Sequence, residues 1–227
     1  MSFARTFIPT LLLAAAAAPS FAAPPESGFY AGIGGGVTHY GIDYANQVDS
    51  AYAPTPFGVT DAAMDRTNGG TFRVMGGYQF NKYFGVEASY LDLGSATAHY
   101  TVDDGAGPNS RNAKYKLAGF NVSAVGTWPI SDQFAALGKL GVFASTLKYS
   151  ESGTDYLGQP YSFSAPNNHQ TKFSYGLGAA YRLTDNVSLR FDWDRVDGIG
   201  NAFALTNDGN GRFDSVDMFT LSAVYRF

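Results

Sequence analysis

Hydrophobic and polar positions alternate with a period of two along most of the chain, in segments of about ten residues. The first sets Phe29, Ala31, Ile33 and Val37 against Tyr30, Gly32, Gly34, Gly36 and Thr38. The second sets Phe72, Val74, Gly76, Tyr78 and Phe80 against Thr71, Arg73, Met75, Gly77 and Gln79. After Asn81-Lys82-Tyr83, the third sets Phe84, Val86, Ala88 and Tyr90 against Gly85, Glu87 and Ser89. The fourth has Phe120, Val122, Ala124 and Trp128 against Asn121, Ser123, Val125 and Thr127. Pro129-Ile130-Ser131-Asp132 turns into the fifth, with Phe134, Ala136, Leu140 and Val142 opposite Lys139. The sixth carries Phe173, Tyr175, Leu177, Ala179, Tyr181 and Leu183, and Thr184-Asp185-Asn186 leads into the seventh. There Val187, Leu189, Phe191 and Trp193 oppose Ser188, Arg190, Asp192 and Asp194. The last sets Phe219, Leu221, Ala223, Tyr225 and Phe227 against Met218, Thr220, Ser222 and Arg226. The pattern predicts eight strands.

The joints are of two kinds. Residues 81–83, 129–132 and 184–186 are short turns, whereas the stretches near 41–70, 94–112, 150–170 and 197–213 are long and rich in Asp, Asn, Gly, Ser and Pro. Structureless loops of that length are uncommon inside compact soluble domains. Long loops at one end and tight turns at the other are the arrangement of an outer-membrane barrel, whose strands need about 9 to 11 residues to span the bilayer. The expected fold class is all-β: an eight-stranded antiparallel transmembrane β-barrel with four long loops and three short turns.

Which face meets lipid follows from the charges. A soluble eight-stranded barrel buries its apolar face and exposes its polar one. Here the polar face is small and glycine-rich and carries Arg73, Glu87, Lys139, Arg190 and Asp192, while the opposite face is bulky and almost uncharged. Charges find partners in a narrow interior and find none in hydrocarbon, so the apolar face is the outside. Tyr78, Phe80, Phe84, Trp128, Tyr181, Tyr225 and Phe227 fall near the short-turn end, where an aromatic girdle belongs.

Composition agrees. Glycine accounts for 27 of 227 residues, and charged residues for 15% against roughly 25% in ordinary soluble domains. That argues against a coiled coil, a helical bundle and a disordered tail. The net charge of -4, with scattered Lys and Arg, leaves no footprint for nucleic acid. Residues 1–22 read as a secretory signal peptide: Arg5 supplies the positive region, Phe7 to Ala18 the apolar core, and Ser20-Phe21-Ala22 the cleavage site. The barrel domain is then residues 23–227, without cysteine, so an exported protein without disulfides.

These segments resemble the transmembrane barrel of outer-membrane protein A and the related small opacity-type barrels. The resemblance rests on Gly76-Gly77-Tyr78-Gln79-Phe80-Asn81-Lys82-Tyr83-Phe84-Gly85-Val86-Glu87, Pro129-Ile130-Ser131-Asp132 leading to Lys139-Leu140-Gly141, Leu189-Arg190-Phe191-Asp192-Trp193, and Val224-Tyr225-Arg226-Phe227. It implies a bacterial outer-membrane location, long loops facing outside the cell and short turns in the periplasm. It also implies an assembly signal at Tyr225 and Phe227, read by the barrel-assembly machinery. Outer-membrane lipids and lipopolysaccharide are the expected surroundings, and a host or surface ligand would meet the loops. Members with a periplasmic peptidoglycan-binding domain continue past the barrel; the chain ends at Phe227, so no such domain is expected. The family's interior holds two acids and two bases that block the passage. Glu87 matches one acid and Arg190 one base, while Val125 stands in place of a Lys and Ala180 in place of the second Glu. The implied plug is a Glu87–Arg190 ion pair supported by Arg73, Lys139 and Asp192.

Other motifs fit blander readings. Gly32-Ile33-Gly34-Gly35-Gly36 lacks the third glycine of a dinucleotide loop and precedes no helix. Asn207-Asp208-Gly209-Asn210-Gly211 lacks the spacing and closing Glu of a calcium loop. His39, His99 and His169 border different long loops and would need to converge at the rim to bind a metal or assist a hydrolase. No cofactor, metal or catalytic set is expected. The expected function is a structural and surface-interaction barrel, with a narrow, low-conductance ion pore and a lipid or peptide hydrolase as alternatives. An eight-stranded interior is only wide enough for side chains to fill it, which disfavours a wide channel.

Overall fold

A computed structural model describes residues 27–42, 44–45, 48–49, 58–103, 105–199 and 213–227. The expected signal peptide and the Asn207–Gly211 stretch lie outside the described residues. The strands are β1 (Gly28–Gly41), β2 (Gly58–Arg66), β3 (Asn68–Asn81), β4 (Phe84–Asp103), β5 (Pro108–Pro129), β6 (Phe134–Thr154), β7 (Pro160–Ser164), β8 (Asn168–Arg182), β9 (Val187–Ile199) and β10 (Phe213–Arg226). All pairings are antiparallel. β1 pairs with β3, and the sheet continues through β4, β5, β6, β8, β9 and β10, which returns to β1. The ring therefore has no open edge within the bilayer, where an unpaired backbone group would find no water. At its seam the Phe227 N–H donates to the Phe29 carbonyl at 3.0 Å.

Among the described residues the sheet has ten strands, where the sequence pattern predicts eight. The additional two do not enter the ring: β2 pairs with β4 and β7 with β6, both beyond the bilayer at the long-loop end. They occupy stretches read as loops because their polar residues leave no clean alternation. The stretch 94–112 is likewise mostly strand, since β4 and β5 stay paired as far as Asp103 and Pro108. With 20 and 22 residues, these two strands rise well above the membrane.

The outer face changes character along that rise. Phe120, Val122 and Trp128 on β5 and Leu140 and Val142 on β6 are exposed and apolar, whereas Lys114, Lys116 and Lys148 follow on the same faces higher up. Trp128 and Phe120 stand eight residue steps apart, about 26 Å along the strand before tilt, the scale of a lipid-facing band of about 25 Å. The lower girdle runs through edge and stacked contacts of Tyr78 with Phe80, Phe80 with Phe84, and Tyr225 with Phe227. An upper ring holds Tyr90 against Phe120 and Tyr175 against Trp193. The Tyr175 hydroxyl donates to Asp197 and the Trp193 indole N–H to Asp217, each at 3.0 Å. The polar tips of these rings thus point to the polar side of the boundary.

The interior has two zones. Nearer the short turns it holds polar and charged side chains. Above them lies an apolar cluster that includes Tyr40, Leu91, Tyr100, Tyr115, Phe143 and Phe213. The sequence reading expects a small, polar interior throughout, and the upper zone departs from it. Above the bilayer the outside is wet, so the barrel there follows the soluble rule of apolar inside and polar outside. On β4 the change coincides with a register shift between Asp92 and Ser95, where Gly94 has a φ of 71°. That bulge moves the inward positions from Glu87, Ser89, Leu91 and Leu93 to Ala96, Ala98, Tyr100 and Val102.

Candidate interior site: a six-residue ion network

The interior charges come from four strands. Arg73 sits on β3, Glu87 on β4, Lys139 on β6, and Arg190, Asp192 and Asp194 on consecutive inward positions of β9. In the ring β4 and β9 stand four places apart, directly opposite, so Glu87 and Arg190 meet across the axis. Arg190 Nη1 lies 2.5 Å from Glu87 Oε2, and Arg190 Nε lies 2.9 Å from Asp192. Arg73 reaches Glu87 at 2.7 Å, Asp194 at 2.8 Å and Asp192 at 3.6 Å. Lys139 closes the set at 2.6 Å from Asp194 and 2.9 Å from Asp192. The Tyr30 hydroxyl donates to Glu87 at 3.0 Å. Three bases and three acids give a neutral cluster, and all six side chains are buried.

The neighbouring backbone makes room for it. Gly176 and Gly178 on β8 pair with Asp194 and Asp192. A Cβ at Gly176 would stand 2.5 Å from Asp194 Oδ1, and one at Gly178 would stand 2.8 Å from Asp192 Oδ1. A Cβ at Gly77 would lie 2.3 Å from the ring of Tyr30, whose hydroxyl reaches Glu87. The glycines of the inner face thus clear space for long polar side chains as well as fitting a narrow interior.

The five residues expected from the sequence come together. The reading missed Asp194, which is visible on the polar face of its strand but matches no position in the motifs behind the resemblance. Its signal is the inward run Arg190, Asp192, Asp194 opposite Ala180, Gly178 and Gly176. The pair of Glu87 and Arg190 is therefore embedded in a larger network. Val125 is buried beside Lys139 in the β5–β6 register, and Ala180 faces Arg190 across β8–β9.

A further buried acid, outside the network, sits in the upper zone. Glu151 accepts from Tyr100 at 2.8 Å and from Tyr149, and lies 3.6 Å from Arg111, whose guanidinium covers the ring of Tyr161. The three histidines do not converge. His39 pairs with Asn68, His99 with Asp65 and His169 with Thr146, each on a different strand and exposed. Among the described residues no group of three His, Cys, Asp or Glu is arranged to hold a metal ion. Tyr225 and Phe227 point outward from the end of the closing strand.

An edgeless antiparallel ring, apolar where it meets lipid and charged within, defines a transmembrane β-barrel of the bacterial outer membrane. The chain belongs to the family of outer membrane protein beta-barrel domains, whose profile matches residues 8–227. It is 30% identical over 225 residues to outer membrane protein A of Serratia marcescens, covering 95% of this chain and 54% of that protein. It is 28% identical over 211 residues to outer membrane protein A of Klebsiella pneumoniae, covering 91% and 53%. The chain thus spans about half the length of these relatives. Among solved structures, Ail of Yersinia pestis, the attachment invasion locus protein, is similar with a TM-score of 0.48 and 18% identity, covering 89% of this chain and all of that one.

Proposed function

We propose that the protein is a structural and surface-interaction barrel whose interior is closed to solutes, with its long-loop end outside the cell and its short turns in the periplasm. The observation that carries this reading is the stacking of two filled layers along one axis. The six-residue network spans the barrel from β3 to β9, and the apolar cluster fills the wider end above it. A permeating ion would have to displace paired charges and then pass the packed aromatic and aliphatic side chains of the upper cluster, both costly steps in a low-dielectric interior. The acidic, hydroxyl-rich extensions at the long-loop end form the surface on which a ligand would be recognised.

The surroundings follow from the outer face. Lys116 and Lys148 face each other directly across β5–β6, with Lys114 two positions along and the Tyr90–Phe120 pair just below. Like charges in opposite positions of a sheet repel, so this row calls for a counter-charge at the edge of the lipid band. Phosphorylated lipid of the outer leaflet, lipopolysaccharide, supplies it there. During insertion, the outward aromatic pair Tyr225 and Phe227 serves as the signal read by the assembly machinery. No catalytic role is assigned.

Orientation is tested by inserting an epitope into the exposed Leu157–Gly158 turn and probing intact cells with antibody. Labelling without permeabilisation is expected. Labelling that appears only after the outer membrane is opened would overturn the reading.

A further inference from the structure

Above the lipid band, β2, β4, β5, β6 and β7 form a five-stranded sheet whose inner face packs into the upper cluster and whose outer face meets solvent. The register lays its outward residues in rows. Thr97, Lys114, Ser150 and Ser164 face one another across β4, β5, β6 and β7. His99, Asn112, Ser152 and Ser162 form the next row up. Three strand spacings make each row about 14 Å long, and the rows lie about 7 Å apart. A groove of about 460 Å³ follows them. Of the two acids in its lining, Asp65 is engaged by His99 at 2.6 Å and Glu151 turns inward to Tyr100. Its one aromatic residue, Phe163, packs against the upper cluster. What the groove offers to the outside is therefore hydroxyl, amide and one ammonium group.

We propose that this groove binds the core saccharide of lipopolysaccharide, the sugar chain that continues outward from the phosphorylated lipid. The proposal rests on the reading that such lipid lies against the row of Lys116 and Lys148. Position argues for this occupant. On β5, Lys116 stands four residue steps beyond Phe120 and Asn112 eight, about 13 and 26 Å along the strand before tilt. The groove thus begins where the apolar band ends, directly above the lysines, and a head group paired with them carries its sugars onto the two rows. Chemistry argues for it as well. Sugar hydroxyls both donate and accept hydrogen bonds, and the side chains of Ser, Thr and Asn do the same. Lys114, in the lower row, supplies a counter-charge for phosphate or carboxylate borne on the chain. A protein partner is held chiefly by buried aromatic and Arg anchors, and this lining turns its single aromatic residue inward.

The test compares two probes on residues 23–227, refolded in an uncharged maltoside detergent. One is lipopolysaccharide carrying its core saccharide, and the other is the lipid A left when the sugars are removed from it. Each is titrated calorimetrically as mixed micelles. We expect the unmutated barrel to bind the intact molecule about tenfold more tightly than lipid A, the worth of two hydrogen bonds of ordinary strength. Asn112→Ala combined with Ser152→Ala, both at exposed positions, should bring the intact molecule down to the lipid A affinity and leave lipid A binding unchanged. Lys116→Gln combined with Lys148→Gln should weaken both probes alike. Equal affinities of the unmutated barrel for the two probes would overturn the proposal. So would a groove variant that weakens both probes equally, or neither. Lipid A binding untouched by the lysine variant would instead overturn the reading of the lysine row, a result separate from the affinity ratio that decides the groove.

Discussion

Arg73 is the hub of the interior: fully buried on β3, it contacts Glu87 at 2.7 Å and Asp194 at 2.8 Å, joining two acids that stand on opposite sides of the ring. Arg190 touches Glu87 and Asp192 but not Asp194. Removing one partner of a buried ion pair typically costs about 3 to 5 kcal/mol, because the remaining charge is left uncompensated. Arg73→Met is therefore expected to be the more damaging change, since Arg73 contacts all three acids, and Arg190→Met the milder, since Arg190 contacts two. Urea unfolding in detergent, read by loss of the compact, unboiled gel form, gives the order. Equal losses would contradict the hub assignment.

Neutralising an acid along with a base restores the balance of the cluster. Arg190→Ala alone should be clearly destabilised, and adding Glu87→Gln should recover part of the loss. The double variant is compared with both single variants in a double-mutant cycle. An Arg190→Ala protein as stable as the parent, or no recovery in the double variant, would show that the network contributes little.

Gly176 tests how tightly the carboxylates are seated. A Cβ there would come within 2.5 Å of both Asp194 Oδ1 and the Trp193 carbonyl. Gly176→Ala should cost about 1 to 3 kcal/mol, the usual range for overpacking. Gly138 on β6 has open space around a Cβ, and Gly138→Ala should be close to neutral. The same unfolding measurement compares them.

The upper barrel separates dispensable from indispensable parts. β7 and the turn before it pack at the margin, with Leu157 66% exposed, and deleting Tyr156–Ser162 should leave a folded barrel. Tyr115 is fully buried and lies 5.2 Å from Tyr149 and 5.5 Å from Phe213, centroid to centroid. Tyr115→Ala should cost about 3 to 5 kcal/mol, as core aromatic truncations do. A neutral Tyr115→Ala would mean that the upper cluster does not support the fold.

Legibility in the sequence follows the membrane. Within the bilayer the alternation of bulky apolar and small polar residues is strict, because one face meets hydrocarbon and the other a crowded interior. The ring strands and five of the six network residues can be read from it. Asp194 is on the right face, but nothing in the sequence says which carboxylates of a long strand reach the centre. That depends on the ring placing β3, β6 and β9 around one point. Above the bilayer the rule inverts, and the bulge at Gly94 shifts the inward positions of β4 by one. A period-two reading in a single phase then loses the strand, and so 94–112 reads as a loop while Ala96, Ala98, Tyr100 and Val102 are in fact core. Among the described residues β2 and β7 each have a single partner strand and only a few apolar positions, Val59, Ala62 and Met64 on one and Phe163 on the other, packed against the upper cluster, so pairing with a neighbour rather than local pattern defines them.

The central claim is a closed interior, and single-channel recording of the refolded, unmutated barrel in planar bilayers tests it most directly. The account predicts a silent trace or rare, small openings, because the ion network and the apolar cluster would both have to part for an ion to pass. Large and frequent openings in the unmutated protein would contradict it.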